Sequence, residues 1–184
     1  MGNKKKADLN KNNNQVFLEH KKKKKWVDEE SGYDCIMFYP RALYITWSSR
    51  VENWNWNCFK ETSGENIEVV KLNAVCWLDV RGKHKISDLS PGVDYEIVYV
   101  VKLKNGAAGW ELPITLKLTL PNGTSKERKI SLLEKPRGEW IELNVGNFLA
   151  QDGESREVCF DVYDHGGHWK SGLIIKGAII RPKA

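Results

Sequence analysis

The sequence predicts an all-β domain, an antiparallel β-sandwich of jelly-roll type preceded by a disordered basic tail, and three observations point there. Short runs alternate apolar and polar residues with a period of two, as in Val93-Asp-Tyr-Glu-Ile97 and Val158-Cys-Phe-Asp-Val162. Turn residues separate these runs at short intervals: Ser90-Pro-Gly92, Asn105-Gly106, Pro121-Asn-Gly-Thr124 and Gly146-Asn147. No segment sustains a helical period, and nine or ten strands at this spacing fit a sandwich.

The first 25 residues are lysine and asparagine with few apolar groups, so they cannot offset the entropy of ordering and are expected to be disordered. Nine lysines against Asp8 and Glu19 give this tail a charge of +7, while the whole chain of 184 residues carries +5. The body is therefore slightly acidic. Lys21, Lys22, Lys23, Lys24 and Lys25 have the form of a nuclear address or a patch for an anionic surface, beside the plainer reading of a solvated charge run. Residues 26–41 read as a linker or first strand, anchored by Ile36, Phe38 and Tyr39.

From residue 42 to 184 the strands follow in order. Leu43, Ile45 and Trp47 share one face of the first. The second, near Trp54 to Lys60, sets Trp54 and Trp56 against Asn53, Asn55 and Asn57, one aromatic face and one of amides. Ile67 to Leu72 and Val75 to Val80 come next, then the long Val93 to Leu103, whose middle is apolar on both faces and suits a central strand. Leu112 to Leu120 and Lys129 to Leu133 flank the hairpin signal at Asn122-Gly123. Trp140 to Val145 is closed by Gly146-Asn147, and Glu157 to Tyr163 and Gly172 to Ile180 complete the set.

The chain is long enough for one core and too short for two ordinary domains. It has no apolar run of eighteen residues and no apolar stretch near its start, so membrane insertion and secretion are not expected and a cytoplasmic or nucleocytoplasmic protein is. Cys35, Cys58, Cys76 and Cys159 lack the spacing of a zinc site. Cys76 and Cys159 lie in apolar strand patterns and read as core, whereas Cys35 in the linker region reads as the exposed one; whether any of them pair stays open.

Three tryptophans within ten residues, Trp47, Trp54 and Trp56, with amides beside them, suit a sugar. The C–H face of a pyranose stacks on indole while amides and hydroxyls reach its polar groups. Trp47 and Trp54 flank a polar connection, where binding groups commonly sit. The alternative is that these tryptophans are core. Asp164-His-Gly-Gly-His168-Trp169 offers a second wall through Asp164 and Trp169; its two histidines lack a third ligand in register, so no metal and no cofactor are expected. Glu65, Glu68, Asp79, Glu139 and Glu142 show no spacing that enforces a catalytic carboxyl pair, so no enzyme is expected.

The order of blocks resembles the phloem protein 2 lectin domain, also called the Nictaba-like domain of plants. The blocks are Ile45-Thr-Trp47 with Trp54-Asn-Trp56, Val75-Cys-Trp-Leu-Asp-Val-Arg-Gly-Lys83, Leu89-Ser-Pro-Gly92 with the strand after it, Gly138-Glu-Trp-Ile-Glu-Leu143, and Lys170-Ser-Gly172 through Arg181-Pro182. The resemblance covers about residues 42 to 183. It implies a non-enzymatic lectin for N-acetylglucosamine oligomers and the core of N-glycans, with N-glycosylated proteins as partners, Trp47 and Trp54 as sugar contacts, and phloem sap as location. A homodimer would raise avidity. The rival classes are an RNA-binding or transport protein using the basic tail, whose lysines lie apart from the aromatic strand, and a structural filament component.

Overall fold

The computed structural model describes residues 15–19, 22–56 and 67–184. Among them thirteen strands form two antiparallel sheets packed face to face. In chain order these are β1 (Val16–Leu18), β2 (Lys23–Val27), β3 (Asp34–Phe38), β4 (Tyr44–Ile45), β5 (Trp54–Asn55), β6 (Val70–Leu72), β7 (Leu78–Lys85), β8 (Asp94–Ala108), β9 (Ile114–Thr119), β10 (Ser125–Ile130), β11 (Trp140–Leu149), β12 (Glu157–Asp164) and β13 (Ser171–Pro182).

The eight-stranded sheet is organised by β13. Along one edge it pairs with β8, which pairs in turn with β11; along the other it meets β6 at Ile174 and Ile175 and β3 at Ala178 to Ile180. β1 and β2 extend the β3 side and β5 the β6 side. The five-stranded sheet runs β10-β9-β12-β7-β4. Alternation places Tyr95, Ile97, Tyr99 and Val101 of β8 against Val158, Phe160 and Val162 of β12 in one core, with Trp54 and Trp110 inside it.

Sequence and structure differ where glycines fall inside strands. Gly106 and Gly146 read as strand ends, yet β8 runs on to Ala108 and β11 to Leu149. The pairing shifts by a residue between Asn144 and Gly146, and a β-bulge of this kind absorbs a glycine without ending the ladder. Likewise β7 passes Gly82 to reach Lys85, because that glycine faces inward and gives its space to the Phe160 ring.

The tail expectation needs correction on its described part. Disorder is predicted through Lys25, but Val16–Leu18 and Lys23–Val27 are strands, the second paired with all of β3. Lys23 pairs with Glu19 and lies over the Phe38 ring, Lys24 lies over Trp26, and Lys25 faces Asp34. A lysine stem covers apolar surface while its ammonium stays near water, which lets this run form an edge strand. Lys21 lies outside the described residues, and Lys22 is exposed in the turn before β2.

The cysteines also change places. Cys35 is buried, and burial pushes its thiol up to about 12. Cys76 and Cys159 are only half-buried; all three carry free thiols, and Cys58 lies outside the described residues.

His84, on the inner face of β7, is buried edge-on to Phe38, and burial pushes its imidazole down to about 4. The unfolded chain, titrating near the ordinary ~6.5, therefore takes up the proton first as pH falls. This contribution to stability is intact above about pH 6.5 and is lost between there and about pH 4, some 3 kcal/mol in all. Denaturant midpoints at pH 7.5 and 4.5 should show a larger acid loss for the wild-type chain than for His84→Leu. Equal losses would contradict it.

Candidate functional site

Three loops meet at one end of the sandwich. The first, between β4 and β5, is wound in turns: Arg50 N–H donates to Trp47 O at 3.0 Å, and the amides of Asn53 and Trp54 donate to Arg50 O. The second, between β6 and β7, is stitched to the first, since Asn53 donates to Ala74 O and Asn73 to Val51 O. The third, between β12 and β13, is joined to the second by a backbone bridge of Val75 with Lys170.

Lys170 is the post of this arrangement. It is fully buried, and its ammonium donates to the carbonyls of Cys76, Gly166 (3.3 Å) and His168 (3.2 Å), with Asp164 Oδ2 at 3.6 Å. Asp164 Oδ1 accepts the Gly166 N–H, and its Oδ2 faces His168 Nε2 at 3.3 Å without the alignment of a hydrogen bond. Gly109 closes the loop from behind at φ +91°, where a Cβ would sit 2.0 Å from Trp169 O. Lys170→Met should destabilise the domain by about 3 kcal/mol, because the loop carbonyls and Asp164 lose their shared cation. A chemical denaturation curve checks this, and a loss below about 1 kcal/mol would show the loop to be held by other means.

Each of the three loops presents an exposed tryptophan. Trp47 is 41%, Trp77 44% and Trp169 67% exposed, and the other five tryptophans are buried or half-buried. Trp47 has φ +61°, a backbone region that costs a bulky side chain of the order of 1–3 kcal/mol and that clusters at functional sites. The Arg50 guanidinium lies 5.2 Å from its ring centroid. Trp77 stacks flat on His165, with ring centroids 3.6 Å apart and planes within 6°, and His165 continues the stack to Tyr163 at 5.0 Å. Between β4, the start of the first loop and Trp77 of the second runs a groove of about 480 Å³ lined by Tyr44, Thr46, Ser48, Trp77, Asp79 and Arg81 among others. Asp79 is fixed there by Arg81, at 2.8 and 3.1 Å, and by His165 Nε2–H at 2.8 Å. Burial pushes its carboxyl up, but these hydrogen bonds and charges outweigh that and hold it below the ordinary carboxylate range.

The six residues singled out from the sequence separate. Trp47, Asp164 and Trp169 lie at this end, Asp164 as a half-buried brace of the third loop. Trp54 does not: it is 2% exposed, its indole donates to Thr46 O at 3.2 Å, and it belongs to the core, so no ligand reaches its face. Trp56 donates to Ser48 O at 2.6 Å and has the Arg41 guanidinium 3.7 Å from its ring centroid, which covers one face. Asn55 is half-buried on β5 opposite Lys71. Conversely, Trp77, Tyr44, Asp79, Arg81 and His165 carry no sequence signal that places them together: Trp77 falls inside the Val75 to Val80 strand reading, Asp79 enters only among carboxyls without a catalytic spacing, and His165 only as one of two histidines lacking a third metal ligand.

Rigid sheets presenting aromatic and polar groups on loops at one end define a binding module, in which the scaffold sets geometry and the loops recognise. The chain belongs to the phloem protein 2 family, whose model matches residues 33–182. It is 47% identical over 172 residues to protein PHLOEM PROTEIN 2-LIKE A1 of Arabidopsis thaliana, covering 91% of this chain and 70% of that protein. It is 40% identical to a lectin of Luffa acutangula, covering 91% and 80%, and 33% identical to a lectin of Coccinia grandis, covering 76% and 89%. A solved complex with β-1,4-galactotriose superposes with a TM-score of 0.44 at 11% identity over 83% of this chain and 90% of that one, too distant to bear on function. Among the described residues no helix is long and apolar enough to cross a membrane.

Proposed function

We propose that this protein is a non-enzymatic lectin whose loop end binds N-acetylglucosamine oligomers and the core of N-glycans. The observation that carries the reading is the convergence of Trp47, Trp77 and Trp169 on three loops tied together by Lys170 and Asn53. Exposed indoles so gathered, one of them in a strained backbone conformation, serve a ligand better than a core. Indole faces suit the C–H face of a pyranose, and Thr46 and Ser48 line the groove beside Trp77, ready for hydroxyls and an acetamido group, with the buried Asp79 fixing Arg81 and His165 behind them. The two relatives that carry the name lectin support the same class. The carboxylate that lines the groove, Asp79, is held by an ion pair with Arg81 and a hydrogen bond from His165, which suits a fixed group rather than a proton shuttle.

Isothermal titration with N-acetylglucosamine oligomers, beside the glucose oligomers that lack the acetamido group, tests this. Binding of the first series and weaker or absent binding of the second is expected. Equal affinity for both would remove the acetamido group from the recognition, and no binding to either would remove the reading.

A further inference from the structure

We propose that the outer face of the five-stranded sheet holds a second sugar subsite, centred on Asp161 and walled by Tyr44, so that the protein reads an extended oligosaccharide. This rests on the reading that the loop end binds glycans.

Beyond the groove at Trp77 lies a second of about 480 Å³, lined by Tyr44, Arg81, Lys83, Lys117, Cys159 and Asp161 among others. The two share Tyr44 and Arg81, so they are neighbouring parts of one trough. Strand register explains the trough. Asp161 stands opposite Arg81 on one side and Lys117 on the other, while the next row pairs Cys159 with Lys83 and with Thr119. Small side chains, Cys159 and Thr119, therefore make the floor, and long ones rise beside them.

Asp161 is half-buried and, among the described residues, accepts no hydrogen bond. Burial raises its carboxyl, with Arg81 and Lys117 pulling the other way. Arg81 gives one edge of its guanidinium to Asp79, and Lys117 leans to Glu127 at 3.8 Å. What remains is a half-buried carboxylate with open lone pairs between two cations, at the floor of an open groove. A pair of neighbouring sugar hydroxyls supplies the missing donors, and charge-assisted hydrogen bonds of this kind are the strong ones. Tyr44, 58% exposed with Lys83 Nζ 5.5 Å from its ring centroid, offers the stacking surface between the two parts. A phosphate or other anion fits less well, since Asp161 would repel it from the centre.

The test compares the N-acetylglucosamine dimer and tetramer as probes in isothermal titration of the full chain, with Asp161→Asn and Tyr44→Ala, both checked for an unchanged melting temperature. The wild-type chain should prefer the tetramer by about tenfold, and each variant should lose most of that preference. If the wild type binds dimer and tetramer equally, or keeps its preference in both variants, the second subsite is wrong while the lectin reading stands. If neither probe binds, the lectin reading fails and the subsite with it.

Discussion

Trp54→Ala should unfold this domain more readily by about 3–5 kcal/mol, the range for emptying a buried tryptophan site. The side chain is 2% exposed within the main core and its indole N–H is satisfied by Thr46 O, so truncation leaves a cavity and an unpaired carbonyl together. In a domain of this size that corresponds to a fall in melting temperature of roughly 10 °C or more. Sugar affinity should also drop, because Thr46 O belongs to the turn that carries Trp47; the loss follows from the stability defect. A Trp54→Ala protein that melts like the wild type and only loses sugar binding would return Trp54 to the ligand and overturn its place in the core.

Substitutions at the exposed tryptophans should do the reverse. Trp77→Ala and Trp47→Gly remove rings that a ligand is expected to cover, and truncating an aromatic anchor at the centre of a contact commonly costs about 2 kcal/mol or more, some thirtyfold in affinity. Stability should barely move. Glycine at position 47 also relieves the positive φ, offsetting its greater freedom in the unfolded chain, so its melting temperature should match the wild type within about 1 kcal/mol of stability. Full affinity in either variant would remove that ring from the site, and a large stability loss in Trp47→Gly would show that the strained indole serves packing.

The contrast between Trp54 and Trp77 shows how far alternation carries. It locates β8 and β12 with their inner faces, Tyr95 to Val101 and Val158 to Val162, because those strands are long enough for period two to show; β13, buried on both faces, is marked only by its run of isoleucines. At Trp54-Asn-Trp56 the same pattern marks two faces without saying which is inside. β5 is only two residues long, and its inward face is chosen by Leu72 across the ladder and by the turn carbonyl that receives the indole. Trp77 is misjudged for the opposite reason: Val75 to Val80 reads as one apolar strand, whereas the strand begins at Leu78 and Trp77 sits on the bend before it.

Lys170 marks another boundary of what residue type can say. A lysine beside a tryptophan and a serine reads as surface, and its burial follows only from three carbonyls and a carboxylate folding round one ammonium. The lysines of β2 mislead in the same way: charge predicts a solvated tail, while pairing with the apolar β3 supplies an edge on which their stems can lie. The family resemblance, by contrast, is legible from about residue 42 onward, since it rests on blocks spread over the domain that all fall within the match to residues 33–182; the nine residues 33–41 before them carry no block. The first loop's Trp47 is legible too, from its place at a strand–loop junction.

The most direct test of the central claim is a titration of the isotopically labelled protein with an N-acetylglucosamine trimer, followed by the indole N–H signals of its eight tryptophans. The signals of Trp47, Trp77 and Trp169 should move with added sugar and saturate together, while those of the buried Trp54 and Trp110 stay in place. Movement confined to Trp26 and Trp140, on the eight-stranded sheet, with the three loop indoles unchanged, would contradict the account and put the ligand on the other face of the sandwich.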